Sequence, residues 1–447
     1  MKFGSTHRWI SLVLGSLVLA LLGGSSAAQV TLPGVKLDLP KVGLPGEVAI
    51  DTPITQARVD ARHLRMKALL RQHPESLTTD AHGELVVRGQ VLAQPSTGAV
   101  LQALLTRGYV VRRETRVPEL DLVVAVLEPP QGTSVVRALA DLRKLDPDGR
   151  YDYHHVLSES GEMAATAPAL PSAAAGGAPA IAHVRVGMVD GGVAPTHAAL
   201  SSIAVEVHGC DGRVVPSAHG MAVASLLVES LRVASSGAAL PSVELYADDV
   251  YCNEPTGGAV GDVIDALAWM AHEHVDVVNV SLVGPSNAVL ERVVARMVAR
   301  GHLIVAAVGN DGPAAPPLYP AAYDGVIGVT GVDRKGHVLL EAGRGPSVDF
   351  AALGCDIEAA TLANAPAAVR GTSFAAPVIT ATLALRVEAL SRAAAEAAVA
   401  SLASTAVDLG AKGRDPVYGY GWVRLPSSSA TAATHEVMSH TEAATNP

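Results

Sequence analysis

The sequence is poor in aromatic residues and in charge, and each shortage excludes a class of protein. Only 3% of the 447 residues are aromatic, so any core must be built mainly from Ala, Val and Leu. Charged residues make up 17% and hydrophobic residues 49%, a balance that argues against a largely disordered chain. The net charge of −10 disfavours nucleic acid as a partner, because binding to phosphates needs an excess of Lys and Arg. The length is enough for two domains with cores of their own.

Apolar runs long enough to cross a membrane are also lacking. The N-terminus carries Lys2 and Arg8, then the 14 mostly apolar residues from Trp9 to Leu22, then small residues at 26–28. This pattern predicts a secretory signal peptide over residues 1–28, and it is short for a bilayer span. An uncleaved anchor is the alternative. We therefore expect a secreted or periplasmic protein without a stable membrane anchor.

Cysteine is scarce too, with three residues in the whole chain. Such a number fits an oxidising compartment, where disulfides persist. Three pairings are possible and the sequence alone leaves them open. We favour a disulfide between Cys210 and Cys252, with Cys355 buried and free.

The part of the chain after the signal peptide divides into segments of different composition. Residues 29–83 begin as an irregular arm and continue as a basic helix, for which a solvated face is favoured over a nucleic-acid patch. Residues 84–157 read as strands and helices in the order βαββαβ, which predicts a small ferredoxin-like α+β domain. Residues 158–182 include ATAPALPSAAAGGAPA and predict a flexible linker that proteases can cut.

From residue 183 to residue 426, short apolar strands alternate with helices. The predicted strands read VRVGMVD, VELYADDV, VDVVNVSL, HLIVAAVGN and GVIGVTGVD. Strands that are apolar on both faces indicate a parallel sheet covered by helices on each side, a three-layer α/β/α fold. Functional residues in such sheets lie beyond the carboxyl ends of the strands. Residues 427–447 predict a disordered tail.

Four polar residues are expected at one edge of this sheet. Asp190 and Asn310 end strands, while His219 and Ser373 lie at the starts of helices. Each alone has an ordinary explanation as a helix cap, a turn residue or a structural histidine. Together they supply a nucleophile, a base, an acid that orients the base and a donor for an oxyanion. The small residues around Ser373, in GTSFAAP, leave room for a substrate backbone.

The motifs VRVGMVDGG, HGMAVAS, VVNVSLVGP, VAAVGNDGP and GTSFAAP resemble those of the subtilisin-like family of secreted serine proteases, over roughly residues 184–425. The resemblance implies that Ser373 attacks a peptide carbonyl, that His219 transfers the proton and that Asp190 orients the imidazole. It assigns Asn310 to the oxyanion hole. It assigns substrate binding to Ser281, Leu282, Val283, Gly284 and Gly309.

The resemblance also implies a role for the ferredoxin-like domain. Many subtilisin-like proteases are made as zymogens with such a propeptide, which assists folding and blocks the cleft, and a permanent accessory domain is the alternative. The cut is expected in the linker Ala165–Ala180, giving a new N-terminus between about Ser158 and Ile181. The expected partners are polypeptide substrates and the chain's own N-terminal domain, and the protein is expected to be a monomer.

The chain departs from the family pattern at Gly191, Met221, Ala222, Ser225, Val283 and Val308, which are neighbours of the catalytic groups and leave those groups in place. The two valines are larger than usual, which predicts a pocket for small or aliphatic side chains. No cofactor is expected; calcium often stabilises the family, but the sequence assigns no ligands.

Rival functions lack their motifs. An esterase of the α/β-hydrolase type needs Gly-x-Ser-x-Gly, and Ser373 is followed by Phe374 and Ala375. The helix segment AHEH does not have the His-Glu-x-x-His spacing of zinc proteases. An acid-acting sedolisin would use a glutamate base and an oxyanion aspartate, against His219 and Asn310. The remaining alternative is a catalytically silent or only self-processing binding module.

Overall fold

The computed structural model describes residues 61–164, 183–235, 240–363 and 366–425. The predicted signal peptide, most of the predicted linker and the predicted tail lie outside the described residues. In the described parts of the chain, no helix combines the length and the apolar character that crossing a bilayer requires.

An antiparallel sheet with helices forms the N-terminal part. Its elements are α1 (Ala61–Gln72), β1 (Leu77–Thr79), β2 (Leu85–Gln94), α2 (Gly98–Thr106), β3 (Val110–Val117), β4 (Leu122–Glu128), α3 (Val135–Leu145) and β5 (Arg150–His155). The strands lie in the order β5-β2-β4-β3, and β1 also pairs with β2. This is the ferredoxin-like arrangement that the βαββαβ pattern predicts. Helices α2 and α3 begin after Thr97 and Ser134, whose hydroxyls accept backbone N–H groups of the first turn.

Two short strands, β6 (Ser158–Glu159) and β7 (Glu162–Ala164), connect this part to a seven-stranded parallel sheet. The strands from β8 onward are β8 (His183–Asp190), β9 (Ala204–Gly209), β10 (Ser242–Asp249), β11 (Val277–Val280), β12 (Leu282–Val283), β13 (Leu303–Ala307), β14 (Ile327–Val332), β15 (Phe350–Leu353), β16 (Cys355–Ala359) and β17 (Ala367–Arg370). The parallel sheet has the order β15-β14-β13-β11-β8-β10-β9.

Helices cover both faces of the parallel sheet. One apolar cluster holds α4 (Ala218–Ala234), α7 (Thr372–Ala384) and α8 (Arg392–Thr405), and another holds α5 (Val260–His272) and α6 (Ala288–Arg300). Strands β11, β13 and β14 are buried at every position because both faces are covered. The predicted three-layer α/β/α fold is confirmed.

The start of the predicted linker is ordered structure. Strand β6 pairs antiparallel with β12, with Leu282 opposite Glu159 and Val283 opposite Ser158. Strand β7 pairs antiparallel with β17, with Arg370 opposite Glu162. The prediction of a flexible linker over 158–182 is therefore wrong for 158–164. These residues bind through their backbone, which requires no apolar period in the sequence.

The ferredoxin-like sheet packs against helices α5 and α6. Val124 and Val126 of β4 belong to the same buried apolar cluster as Ile264 of α5. Strand β3 and helix α5 are also joined by ion pairs of Arg113 with Asp262 and Asp265. The N-terminal part is therefore held to the parallel-sheet part by a shared core.

A disulfide links the end of β9 to the loop after β10. The Cα atoms of Cys210 and Cys252 are 5.2 Å apart and their sulfur atoms are bonded, while Cys355 is buried with a free thiol. The bridge closes the rim of the sheet next to Asp249, whose backbone oxygen lies close to both sulfur atoms.

Candidate active site

The carboxyl end of β8 and the first turn of α4 bring a carboxylate and an imidazole together. Asp190 is the last residue of β8 and is fully buried. His219 Nδ1 lies 2.8 Å from Asp190 Oδ1. The Ser217 hydroxyl accepts the backbone N–H of Gly220 and so fixes the start of the helix that carries His219. Because Nδ1–H donates a hydrogen bond to this carboxylate, Nε2 is left as the hydrogen-bond acceptor of the neutral ring.

Ser373 lies in the first turn of α7, at the same edge of the sheet. Its Oγ donates to the backbone oxygen of Ser281 at 3.4 Å, and the Ser281 hydroxyl donates to the backbone oxygen of Ser373 at 3.0 Å. His219 Nε2 is buried and has no hydrogen-bond partner among the residues described. The rings of His219 and Phe374 have centroids 5.2 Å apart, so the imidazole lies beside the start of α7. No hydrogen bond joins Ser373 to His219 in this state, as is common before a substrate is productively bound.

Asn310 is anchored to the start of α7 by both ends of its amide. Its Oδ1 accepts the backbone N–H of Thr372 at 3.1 Å, and its Nδ2 donates to Ser160 Oγ at 2.7 Å. Gly309, just before it, has a φ of +93°, a left-handed value that favours glycine. The Gly309 N–H donates to Thr372 Oγ1 at 3.2 Å. The side-chain amide of Asn310 is thus held by the backbone of Thr372, the residue before Ser373.

The segment predicted to bind substrate binds another part of the same chain. Leu282 and Val283 form β12 and pair with β6, and the Ser160 N–H donates to the backbone oxygen of Ser281 at 3.4 Å. Gly284 lies one step beyond this pairing and exchanges both backbone hydrogen bonds with Tyr319. Three of the five residues predicted to bind substrate, Ser281, Leu282 and Val283, therefore face β6 and the residue after it.

Sequence reasoning missed the residues of this occupying segment, above all Glu159. Oxygen and nitrogen atoms of Glu159, Asp190 and His219 lie within 4.8 Å of one another. Burial lowers the pKa of the His219 imidazole, but the carboxylates of Asp190 and Glu159 outweigh burial and raise that pKa to about 9. Burial raises the pKa of the Glu159 carboxyl. The only signal in the sequence was an acid among small residues, Ser-Glu-Ser-Gly, at the end of the ferredoxin-like domain.

Helix α1 lies over the same cleft, which the sequence did not indicate. Arg62 is 5% exposed, and its Nε lies 2.6 Å from Oδ2 of Asp311, the residue after Asn310. Arg62 Nη1 lies 3.1 Å from Glu84 Oε2, and Arg65 donates to the backbone oxygen of Glu159 at 3.4 Å. A cavity of about 20 Å³, room for about one water molecule, remains between α1 and the segment beneath it.

Two groups of side chains have the spacing that a metal ion would need. One is Glu159, Asp190 and His219, which the pairing of the imidazole with Asp190 already explains. The other is Cys210, Asp249 and Cys252, in which the disulfide removes both thiolates as ligands.

Comparisons with known proteins show which proteins this chain resembles. The subtilase family, Peptidase_S8, matches residues 182–421. Subtilisin DY of Bacillus licheniformis is 29% identical over 258 residues, which are 56% of this chain and 91% of that protein. The minor extracellular protease Epr of Bacillus subtilis is 29% identical over 269 residues, which are 58% of this chain and 41% of Epr.

Among solved structures, fervidolysin from Fervidobacterium pennivorans, described as a keratinolytic enzyme related to subtilisin, has a similar fold. Its TM-score is 0.62 at 19% identity, over 77% of this chain and 61% of the fervidolysin chain. That identity supports the fold alone, whereas the family match covers more than half of the present chain. The chain belongs to the subtilase family of serine endopeptidases.

Proposed function

We propose that this protein is a secreted endopeptidase made as a zymogen. Ser373 is the nucleophile, His219 the general base and then acid, Asp190 the group that orients His219, and Asn310 an oxyanion donor. The observation that carries the proposal is the 2.8 Å contact between His219 Nδ1 and Asp190, which leaves the buried Nε2 open at the end of α7 that bears Ser373.

The reaction follows from these positions. His219 Nε2 accepts the proton of Ser373 Oγ as the oxygen attacks the substrate carbonyl carbon. The negative charge that develops on the carbonyl oxygen is stabilised by the Asn310 amide and by backbone N–H groups at the start of α7. The protonated imidazole, stabilised by Asp190, then gives its proton to the leaving amine. Water releases the acyl group by the same steps in reverse order.

Inhibition by the N-terminal part is the second half of the proposal. Strand β6 lies on the segment that the family uses to bind substrate backbone, and α1 lies above it. A peptide substrate has no free strand edge to pair with while β6 stays there. The ferredoxin-like domain therefore acts as an intramolecular inhibitor, and its shared core with α5 and α6 supports a role in folding.

Export is supported by the N-terminal pattern of residues 1–28 and by the disulfide between Cys210 and Cys252. The substrates are polypeptides.

Labelling with a serine-directed fluorophosphonate tests the function. We expect the processed protein to be labelled at neutral pH and to hydrolyse unfolded casein. Ser373→Ala should lose labelling entirely and lose at least about 1000-fold of the hydrolysis, because Ser373 is the hydroxyl that the proposed base His219 activates. Ser404→Ala, a change of an exposed serine of α8, is the matched control and should behave as the native chain.

Absence of labelling in processed, folded protein would contradict the proposal and favour a silent binding module. Labelling without casein hydrolysis would favour an enzyme that acts only on itself.

A further inference from the structure

The chain changes its pairing partner at one peptide bond inside the cleft. Residues 158–159 pair with β12, and 162–164 pair with β17. Extending each register by one residue puts Ser160 opposite Ser281 and Gly161 opposite Gly371. The Ser160 N–H does donate to the Ser281 oxygen, at 3.4 Å. The bond between Ser160 and Gly161 is therefore where the chain leaves one strand and joins the next.

The candidate catalytic groups converge on this bond. Ser373 Oγ and the Ser160 N–H donate to the same backbone oxygen, that of Ser281, each at 3.4 Å. A Cβ placed on Gly371 would lie 3.4 Å from the Ser160 carbonyl oxygen and 3.0 Å from Asn310 Nδ2. Asn310 Nδ2 also donates to Ser160 Oγ at 2.7 Å, so Ser160 lies next to the residues that carry the hydroxyl and the amide.

The residue after this bond, Gly161, has no room for a side chain. A Cβ on Gly161 would lie 2.5 Å from Cε2 and 3.1 Å from Cζ of Phe374, the residue after Ser373. The Phe374 ring is fully buried and packs beside the His219 ring, so it has no solvent-side space into which it could swing. The backbone of Gly371 is also close to Gly161, since a Cβ on Gly371 would lie 2.8 Å from Gly161 Cα.

We propose that the Ser160–Gly161 bond is the chain's own processing site, and that Phe374 restricts the residue after the cut to glycine. Ser373 Oγ bonds to the Ser160 carbonyl carbon, and its proton passes through His219 to the Gly161 nitrogen as the peptide bond breaks. A water molecule then hydrolyses the ester, leaving a Ser160 carboxylate and a free Ser373 hydroxyl. The proposal rests on the proposed function and replaces the linker 165–180 as the site of the first cut.

The C-terminus of the small fragment identifies the cut directly, whatever later happens to the new N-terminus of the large one. We expect intact-mass measurement of the earliest products of the full chain to give a small fragment ending at Ser160. The large fragment should begin Gly161-Glu162-Met163. A first small fragment that ends within 165–182 would overturn the proposal.

Variants test the restriction to glycine. Gly161→Ala should slow the cut on the order of 100-fold, because a clash of this size displaces the reacting carbonyl by a large part of an ångström. Gly176→Ala, in the linker, is the matched control and should be cut at the native rate. In Phe374→Leu, which lacks the clashing ring atoms, adding Gly161→Ala should slow the cut less than about 10-fold. Equal slowing in both backgrounds would overturn the role of Phe374.

The two proposals fail in different ways. If fluorophosphonate labelling and casein hydrolysis persist while the first cut lies elsewhere, the processing site is wrong and the proposed function stands. If Ser373→Ala is cut as fast as the native chain at the same bond, the proposed function fails and this inference fails with it.

Discussion

At the scale of single residues, the protonation of His219 decides whether the hydroxyl of Ser373 can be activated. The charged groups that act on the imidazole are Asp190 on β8, Glu159 on β6 and Arg65 on α1. Asp190 and Glu159 favour the cation and Arg65 opposes it, and the resulting pKa of about 9 leaves His219 mostly protonated at neutral pH. A protonated imidazole cannot accept the serine proton. Glu159, which lies next to the Ser160–Gly161 bond in the chain, therefore slows the cleavage of that bond.

Replacing Glu159 should therefore speed processing at neutral pH. In Glu159→Gln the pKa of His219 falls, so more of the imidazole is neutral at a given pH. The self-cleavage rate should therefore rise at a pH about one unit lower than in the native chain. The measurement is the first-order rate of fragment appearance from pH 6 to pH 10. Glu206→Gln, an exposed change on β9 with the same charge difference, should leave the profile in place. A profile unchanged in Glu159→Gln would show that Glu159 does not set the state of His219.

At the scale of elements, the sequence predicted the strands and helices whose pattern of apolar side chains shows which of their faces are buried. Strands such as Leu303–Ala307 and Ile327–Val332 are apolar throughout, because both faces are covered, and they were predictable for that reason. Asp190, His219, Asn310 and Ser373 were placed at one rim by the rule for parallel strands, and the structure brings them to that rim.

Strands β6 and β7 were not predictable in the same way. Each has three residues or fewer and is held by backbone hydrogen bonds, so no periodicity marks it. The position of α1 over the cleft depends on single long-range contacts such as Arg62 with Asp311, which a local pattern does not contain. The basic helix was predicted, but its contact with Asp311 was not.

The contact between Arg62 and Asp311 predicts how α1 holds the cleft closed after the cut. Arg62→Ala leaves the buried Asp311 carboxylate without its cation in the bound state, so the small fragment should dissociate faster, by about 100-fold. The measurement is the lag before casein hydrolysis begins once the Ser160–Gly161 bond has been cut. Arg71→Ala, at the exposed last turn of the same helix, is the matched control and should keep the native lag.

Arg62→Lys separates charge from geometry, because lysine keeps the cation but has no planar fork to contact Asp311 and Glu84 together. An intermediate lag is expected. A native lag in Arg62→Ala, with the cut itself at the native rate, would contradict the role of α1 as a clamp.

At the scale of the whole molecule, an apolar cluster and an ion-pair group are among the contacts that join the ferredoxin-like sheet to the parallel-sheet part. One is the apolar cluster between β4 and α5, which cutting one bond in the cleft does not disturb. The other is Arg113 on β3, whose Nη1 lies 2.6 Å from Asp262 and 3.0 Å from Asp265 on α5. Cutting the chain should therefore leave a complex of two fragments, which is what an inhibitor that outlasts its own cleavage requires.

Removing Arg113 should weaken that complex. In Arg113→Ala the carboxylates of Asp262 and Asp265 are left facing each other at the interface, and about a third of each of the three side chains is exposed, so the dissociation constant should rise by roughly 10-fold. Gel filtration of the cut protein at decreasing concentration measures it. Arg112→Ala is the matched control, because Arg112 pairs with Glu128 inside the ferredoxin-like sheet and should not change the constant. If both variants dissociate at the same concentration as the native pair, Arg113 does not help to hold the two parts together.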